Sequence, residues 1–147
     1  MKRIFPWLLV AFIAFVFIQS LFFKFSGSEE TEIIFNTLGD WMAGIGLLAP
    51  VAEPFRNYGG WAVGGAELVA SILLFIPKTR VWGALLALGI MSGAIFFHLF
   101  TPLGVDRTID AMGNTDGGVL FFMACGVWVA SAITLYMNRT SLPGVKA

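Results

Sequence analysis

Charge is what this sequence has least of. Acidic and basic side chains make up 12% of its 147 residues, against 58% hydrophobic ones. A water-soluble domain of this length needs a charged skin, so the balance excludes an ordinary soluble globule. Lysine plus arginine equals aspartate plus glutamate at nine each, and there is no basic run. The electrostatic footprint of a nucleic-acid binder is missing, and no nucleic-acid partner is expected. Cysteine occurs once, at Cys125. That excludes an intrachain disulfide, a C-x-x-C redox pair and a multi-cysteine metal site. Histidine also occurs once, at His98, and without a second soft ligand it makes a weak metal case, so none is expected. A haem-attachment motif, a pair of histidines at helical spacing and a cysteine cluster are all missing, so nothing in the sequence supplies an electron carrier.

What the chain does have is long apolar runs. Ile4–Phe25 spans about 33 Å as a helix, enough for the hydrocarbon core of a bilayer. It is too long for a signal-peptide core and lacks a good cleavage site, so it reads as a retained first span. Gly59–Pro77 is the second, Val81–Phe100 the third, and the stretch from Asp116 to about Met137 the fourth. Between spans 1 and 2, Ser28 can cap a helix whose first turn holds Glu29, Glu30 and Glu32. Ile34, Leu38, Trp41, Ile45 and Leu48 then recur at helical spacing as far as Pro50. This predicts an amphipathic helix over about 29–49, lying on the membrane or partly inserted, followed by a loop over 50–57. Thr101–Thr115 reads as a polar loop and Asn138–Ala147 as a short tail. The expected architecture is all-α: one integral membrane domain over residues 1–147, a four-helix bundle with an additional helix between spans 1 and 2.

Four spans put Lys2, Arg3, Lys78, Arg80, Arg139 and Lys146 on one side, and only Lys24, Arg56 and Arg107 on or near the other. The positive-inside rule then places both termini in the cytoplasm of a bacterial inner membrane. Membrane lipids and a protein partner or larger complex are the expected company.

Glu67 stands alone as a carboxylate within the second span, about 12 Å from Gly59 at 1.5 Å per residue. A charge at that depth is costly and faces a partner or a wet cavity. Lys24 closes the first span at the same side, one turn after Ser20 on one face, and is long enough to reach Glu67. His98 is less than a turn from the end of the third span, Asp116 opens the fourth, and Cys125 lies about as deep as Glu67. Lys24, Glu67 and His98 are the candidates for a ligand or proton site, with Asp116 and Cys125 secondary. Each has a structural alternative. Glu67 can simply lock helices through Lys24, and His98 can be an interfacial or structural histidine. Asp116 can be a helix cap, Cys125 a packing residue, and the five tryptophans interface anchors. Gly60-x-x-x-Gly64, Ala66-x-x-x-Ala70 and Gly89-x-x-x-Gly93 offer edges for close helix packing.

Ser20-Leu21-Phe22-Phe23-Lys24-Phe25 resembles the small-x-x-Lys-Phe ending of the first helix of the DoxX-like proteins. Gly64-Gly65-Ala66-Glu67-Leu68-Val69, followed by Leu73-Leu74 and a basic turn, resembles that family's second helix. Ala94-Ile95-Phe96-Phe97-His98-Leu99 is similar to its Ala-x-x-x-His pattern in the third. The resemblance implies a small four-helix inner-membrane protein. Its relatives include subunits of thiosulfate- or quinol-linked oxidoreductases, members of oxidative-stress complexes, cargo receptors and assembly chaperones. It does not fix an activity. Three readings follow: an accessory subunit of a quinone- or sulfur-linked redox system with quinone as the candidate cofactor, a non-catalytic binding or assembly protein, and a small proton-coupled transporter using Glu67. Whether the chain is an enzyme stays open, with oxidoreductase subunit as the catalytic alternative.

Overall fold

A computed structural model describes residues 4–144, so Lys2, Arg3 and Lys146 of the orientation argument lie outside it, as does the end of the tail. The regular elements of the described chain are all helices: α1 Phe5–Phe25, α2 Glu29–Ala43, α3 Ala49–Phe75, α4 Arg80–Phe100 and α5 Val119–Met137, then one 3-10 turn, Arg139–Ser141. Helices α1, α3, α4 and α5 are long and apolar enough to cross a membrane. They form a ring in which α1 packs on α3 and α5, and α4 closes the circuit between those two. Residues such as Ile13, Phe17, Leu74, Ala84 and Val127 fill its centre. The outside is just as apolar: Phe22 is 73% exposed and Phe15 64%. Aromatic side chains at that exposure would be a liability in water and belong against lipid. The chain is a multi-pass membrane protein.

Local chemistry sets most helix ends. Proline in the first turn starts α1, where its missing N–H is not needed. The Ser28 hydroxyl accepts the Thr31 N–H at 3.3 Å, and three glutamates follow, as expected for α2. Asp116 caps α5 from two residues ahead of Gly118, accepting the N–H groups of Gly118 (2.8 Å) and Leu120 (3.2 Å). The fourth span therefore begins at Val119 rather than at Asp116.

The expected boundaries between spans 1 and 2 are also corrected. Residues 50–57 are not a loop, and the additional helix does not run to 49. Helix α2 stops at Ala43, and α3 begins at Ala49, ten residues before the expected second span. Pro50 sits in the first turn and starts this helix instead of ending the one before it. Pro54 lies inside it at the cost of a hydrogen bond near its free end. Compensation comes from Arg56, which pairs with Asp40 on α2 and Glu53 on its own helix, and from the Phe55 ring against Phe35. The face of α2 that buries is Thr31, Phe35, Leu38, Gly39 and Met42, so of the predicted stripe only Leu38 faces inward fully.

The glycines sort into three kinds. Gly83 is a true close approach: a Cβ there would come within 2.7 Å of the Leu74 backbone nitrogen, so α3 and α4 touch backbone to backbone. Gly59 and Gly64 receive aromatic rings instead, those of Phe35 and Phe25. At Gly89 and Gly93 a Cβ would meet nothing within 4 Å. Their expected role as a packing edge is not what they do; they border empty space.

At the end of the ring where α3 turns into α4, Thr79 donates to the Leu73 carbonyl at 3.0 Å. Arg80 donates from Nε to that of Leu74 at 2.9 Å, with its guanidinium 4.2 Å from the centre of the Trp7 ring. The other end is capped by α2 and the 101–118 loop. Within that loop Thr108 bridges to Thr115, and Asp110 accepts from the Asn114 side chain and from the Asn114 and Met112 backbones. These bonds, led by the Asn114 side chain, hold the Asp110 carboxyl below its ordinary value.

Candidate functional site

The α1 helix places Ser20 and Lys24 one turn apart on one face, and α3 brings Glu67 opposite them. Lys24 Nζ donates to both Glu67 oxygens, at 2.8 and 3.0 Å, and to Ser20 Oγ at 2.9 Å. The Ser20 hydroxyl has two acceptors in reach, Glu67 Oε2 at 2.6 Å and the Phe17 carbonyl at 2.8 Å. Glu67 is 3% exposed. A carboxylate so buried is tolerated only when its lone pairs are met by donors and its charge by a cation, and both conditions hold here.

The pair faces a cavity of about 480 Å³ beneath α2, to which all five helices contribute. Its walls are mostly apolar, among them Phe17, Phe35, Leu38, Met91, Phe97 and Met123, with Gly89, Gly93 and Ala94 along α4. Its polar groups are few and gathered at the capped end: Lys24, Glu67, His98 and Arg107, with Ser20, Glu30 and Thr31 beside them. An apolar hollow of this size with a few convergent polar groups has the anatomy of a small-molecule site.

His98 is 4% exposed. Its Nδ1 lies 2.6 Å from the Gly104 carbonyl, which can only accept, so Nδ1 donates there and, in the neutral imidazole, Nε2 holds the lone pair. The Phe121 ring stands edge-on to the imidazole at 5.7 Å and fixes its plane.

Arg107, passed over in the sequence as one polar loop residue among several, belongs to this site. It is 5% exposed and donates from Nη2 to Glu30 on α2 at 2.9 Å. Its Nε lies 3.1 Å from Asp116 Oδ2, within ion-pair range but off the line of a hydrogen bond, and Nη1 has no partner. One guanidinium thus clamps the loop to α2 and to the start of α5. Its contact with Glu30 spans 77 positions, which no local pattern announces.

Of the residues singled out in the sequence, Lys24, Glu67 and His98 line one cavity. Asp116 reaches it only through Arg107, while serving as the cap it was expected to be. Cys125 is half-buried on α5 and does not line the cavity. Among the described residues, no group of three or more histidine, cysteine or acidic side chains gathers as a metal site would require.

Fold and site together define a class: a small multi-pass membrane protein whose buried lysine–glutamate pair looks into an apolar cavity. The chain belongs to the family of the methylamine utilisation protein MauE, whose family model matches residues 2–110. The match takes in α1 to α4 and part of the capping loop, and with them Lys24, Glu67, His98 and Arg107. The three stretches that resemble the DoxX-like proteins fall inside it, but the family matched is MauE; the two share the description of a small multi-pass membrane protein. No curated protein matches the chain, and no solved structure does.

Proposed function

We propose that this MauE-family protein is an accessory subunit of a membrane redox system, quinone- or sulfur-linked, and that Lys24, Glu67 and His98 form its site for a quinone headgroup or a proton. The observation that carries the reading is the buried Lys24–Glu67 pair turned toward a cavity rather than sealed between helices. A pair needed only to lock α1 to α3 would be at least as well served by apolar packing. The family's name attaches it to methylamine utilisation, and we take the system served to be of that kind.

The same reading places the chain in a bacterial inner membrane with both termini in the cytoplasm. Supporting this, the sequence puts six basic residues, Lys2, Arg3, Lys78, Arg80, Arg139 and Lys146, on the side of the termini and only Lys24, Arg56 and Arg107 toward the other, and an excess of lysine and arginine favours the cytoplasmic side.

The test is Glu67→Gln in the native membrane. Partner turnover per folded complex should fall about tenfold or more, the scale of a lost charged contact, over and above any loss of folded protein that breaking the pair brings. Full turnover with both Glu67→Gln and Lys24→Met would sink the site.

A second reading, a binding or assembly protein, is favoured by one feature of the capped end. Leu47 between α2 and α3 and Met112 in the loop are 89% and 86% exposed on elements that are otherwise tied down. On that reading Glu67→Gln lowers the amount of folded protein and leaves turnover per complex unchanged.

A further inference from the structure

We infer that the cavity takes the flat, uncharged head of a lipid-soluble molecule with a single apolar tail, and that the tail leaves sideways along α4 at Gly89. This rests on the reading of the Lys24–Glu67 cavity as a ligand site and names the class of ligand.

Three observations converge. The first is room. Gly89 and Gly93 border the cavity, and a Cβ at either would meet nothing within 4 Å. Alanine would be the better helix former by up to about 1 kcal/mol, yet the helix stays bare there. The second is a path. A shallow apolar groove lined by Trp82, Leu85, Leu86, Gly89 and Ile90 shares its last two residues with the cavity. Trp82 and Leu85 are exposed on the lipid-facing side, so the groove opens to the bilayer. From His98 to Gly89 is about 14 Å along the helix and from Gly89 to Trp82 about 10 Å more. The cavity offers a polar end, and the groove that adjoins it at Gly89 and Ile90 an apolar one.

The third observation is the chemistry of the polar end. Lys24 is neutralised by Glu67, and Arg107 stands between Glu30 and Asp116. No net positive charge remains for a phosphate or carboxylate head, so an anionic lipid is a poor fit. What remains is the lone pair of His98 Nε2 and the unpartnered Nη1 of Arg107, both on side chains more than nine-tenths buried. A quinol head satisfies both, one ring hydroxyl oxygen accepting from Arg107 and the other hydroxyl donating to His98, whereas the oxidised quinone only accepts and leaves the His98 lone pair unmet.

The test uses the full chain in phosphatidylcholine nanodiscs, titrated anaerobically with 2,3-dimethoxy-5-methyl-1,4-benzoquinol with and without a decyl tail. Quenching of tryptophan emission reports binding. The tailed compound should bind saturably and the tailless one about tenfold more weakly. Gly93→Leu should weaken tailed binding about tenfold while the ligand-free protein melts no lower than wild type, and Gly89→Leu should erase the advantage of the tail. Should Gly93→Leu not fold, Gly93→Ala, whose Cβ has open space, should show a loss of about threefold. Equal binding to wild type and a folded Gly93 variant overturns the inference, as does the absence of saturable binding. A phospholipid retained by wild type, lost from Gly93→Leu and not displaced by the tailed quinol also overturns it. Absent quinol binding together with reduced partner turnover in Glu67→Gln would remove this inference and leave the subunit reading. Quinol binding blocked at Gly93 with normal turnover in Glu67→Gln would do the reverse.

Discussion

Glu67 and Lys24 are worth little apart. With Lys24 replaced by methionine, Glu67 keeps one side-chain donor, Ser20, and faces no cation. We expect Lys24→Met to cost about 3–5 kcal/mol of stability, the range for one partner stripped from a buried pair. The double variant Lys24→Met/Glu67→Leu should return to within about 2 kcal/mol of wild type. Thermal unfolding in detergent measures both, and a single variant as stable as the double would mean that the pair is not coupled. This pair was legible in the sequence because each member is an isolated charge in an apolar run, and helix register fixes where such residues meet. His98 was legible for the same reason. Arg107 was not: it sits in a loop without periodicity, among three aspartates, and its choice of Glu30 depends on how α2 folds over the bundle.

At the scale of elements, the reading failed where proline was taken as punctuation. Pro50 can end one helix or begin another, and only the packing of Phe55 and Arg56 against α2 decides for the second. The small-residue motifs were visible, but their roles were not, since glycine serves a backbone contact, a ring contact and a void equally well. Two substitutions separate these roles. Gly83→Ala should destabilise by about 1–3 kcal/mol, because its Cβ collides with the α3 backbone. Gly65→Ala, with nothing within 4 Å, should be neutral or stabilising by up to about 1 kcal/mol. Melting temperatures in one detergent decide the matter, and a stable Gly83→Ala would show that α3 and α4 can part without penalty.

For the whole molecule, composition alone was enough to name the class, because no arrangement of so few charges could cover a soluble surface. The cavity was beyond reach: it is a space between five helices, and a sequence records what is present rather than what is left open. Orientation can be checked directly. Met112→Cys in a Cys125→Ala background should react with a membrane-impermeant maleimide added to intact spheroplasts, because Met112 is exposed at the capped end. Labelling only after lysis would invert the proposed topology.

The Lys24–Glu67 contact also bears on how the chain is made. Lys24 leaves the ribosome 43 residues ahead of Glu67, so α1 is already in the membrane when α3 emerges. An unpaired acid at the centre of an inserting helix costs about 3 kcal/mol, and here its counter-ion is waiting on the preceding span. The two charges can be neutralised before α4 and α5 exist. Synthesis order therefore spares the second span from entering lipid as an ion, and the last two spans close around a pair already formed.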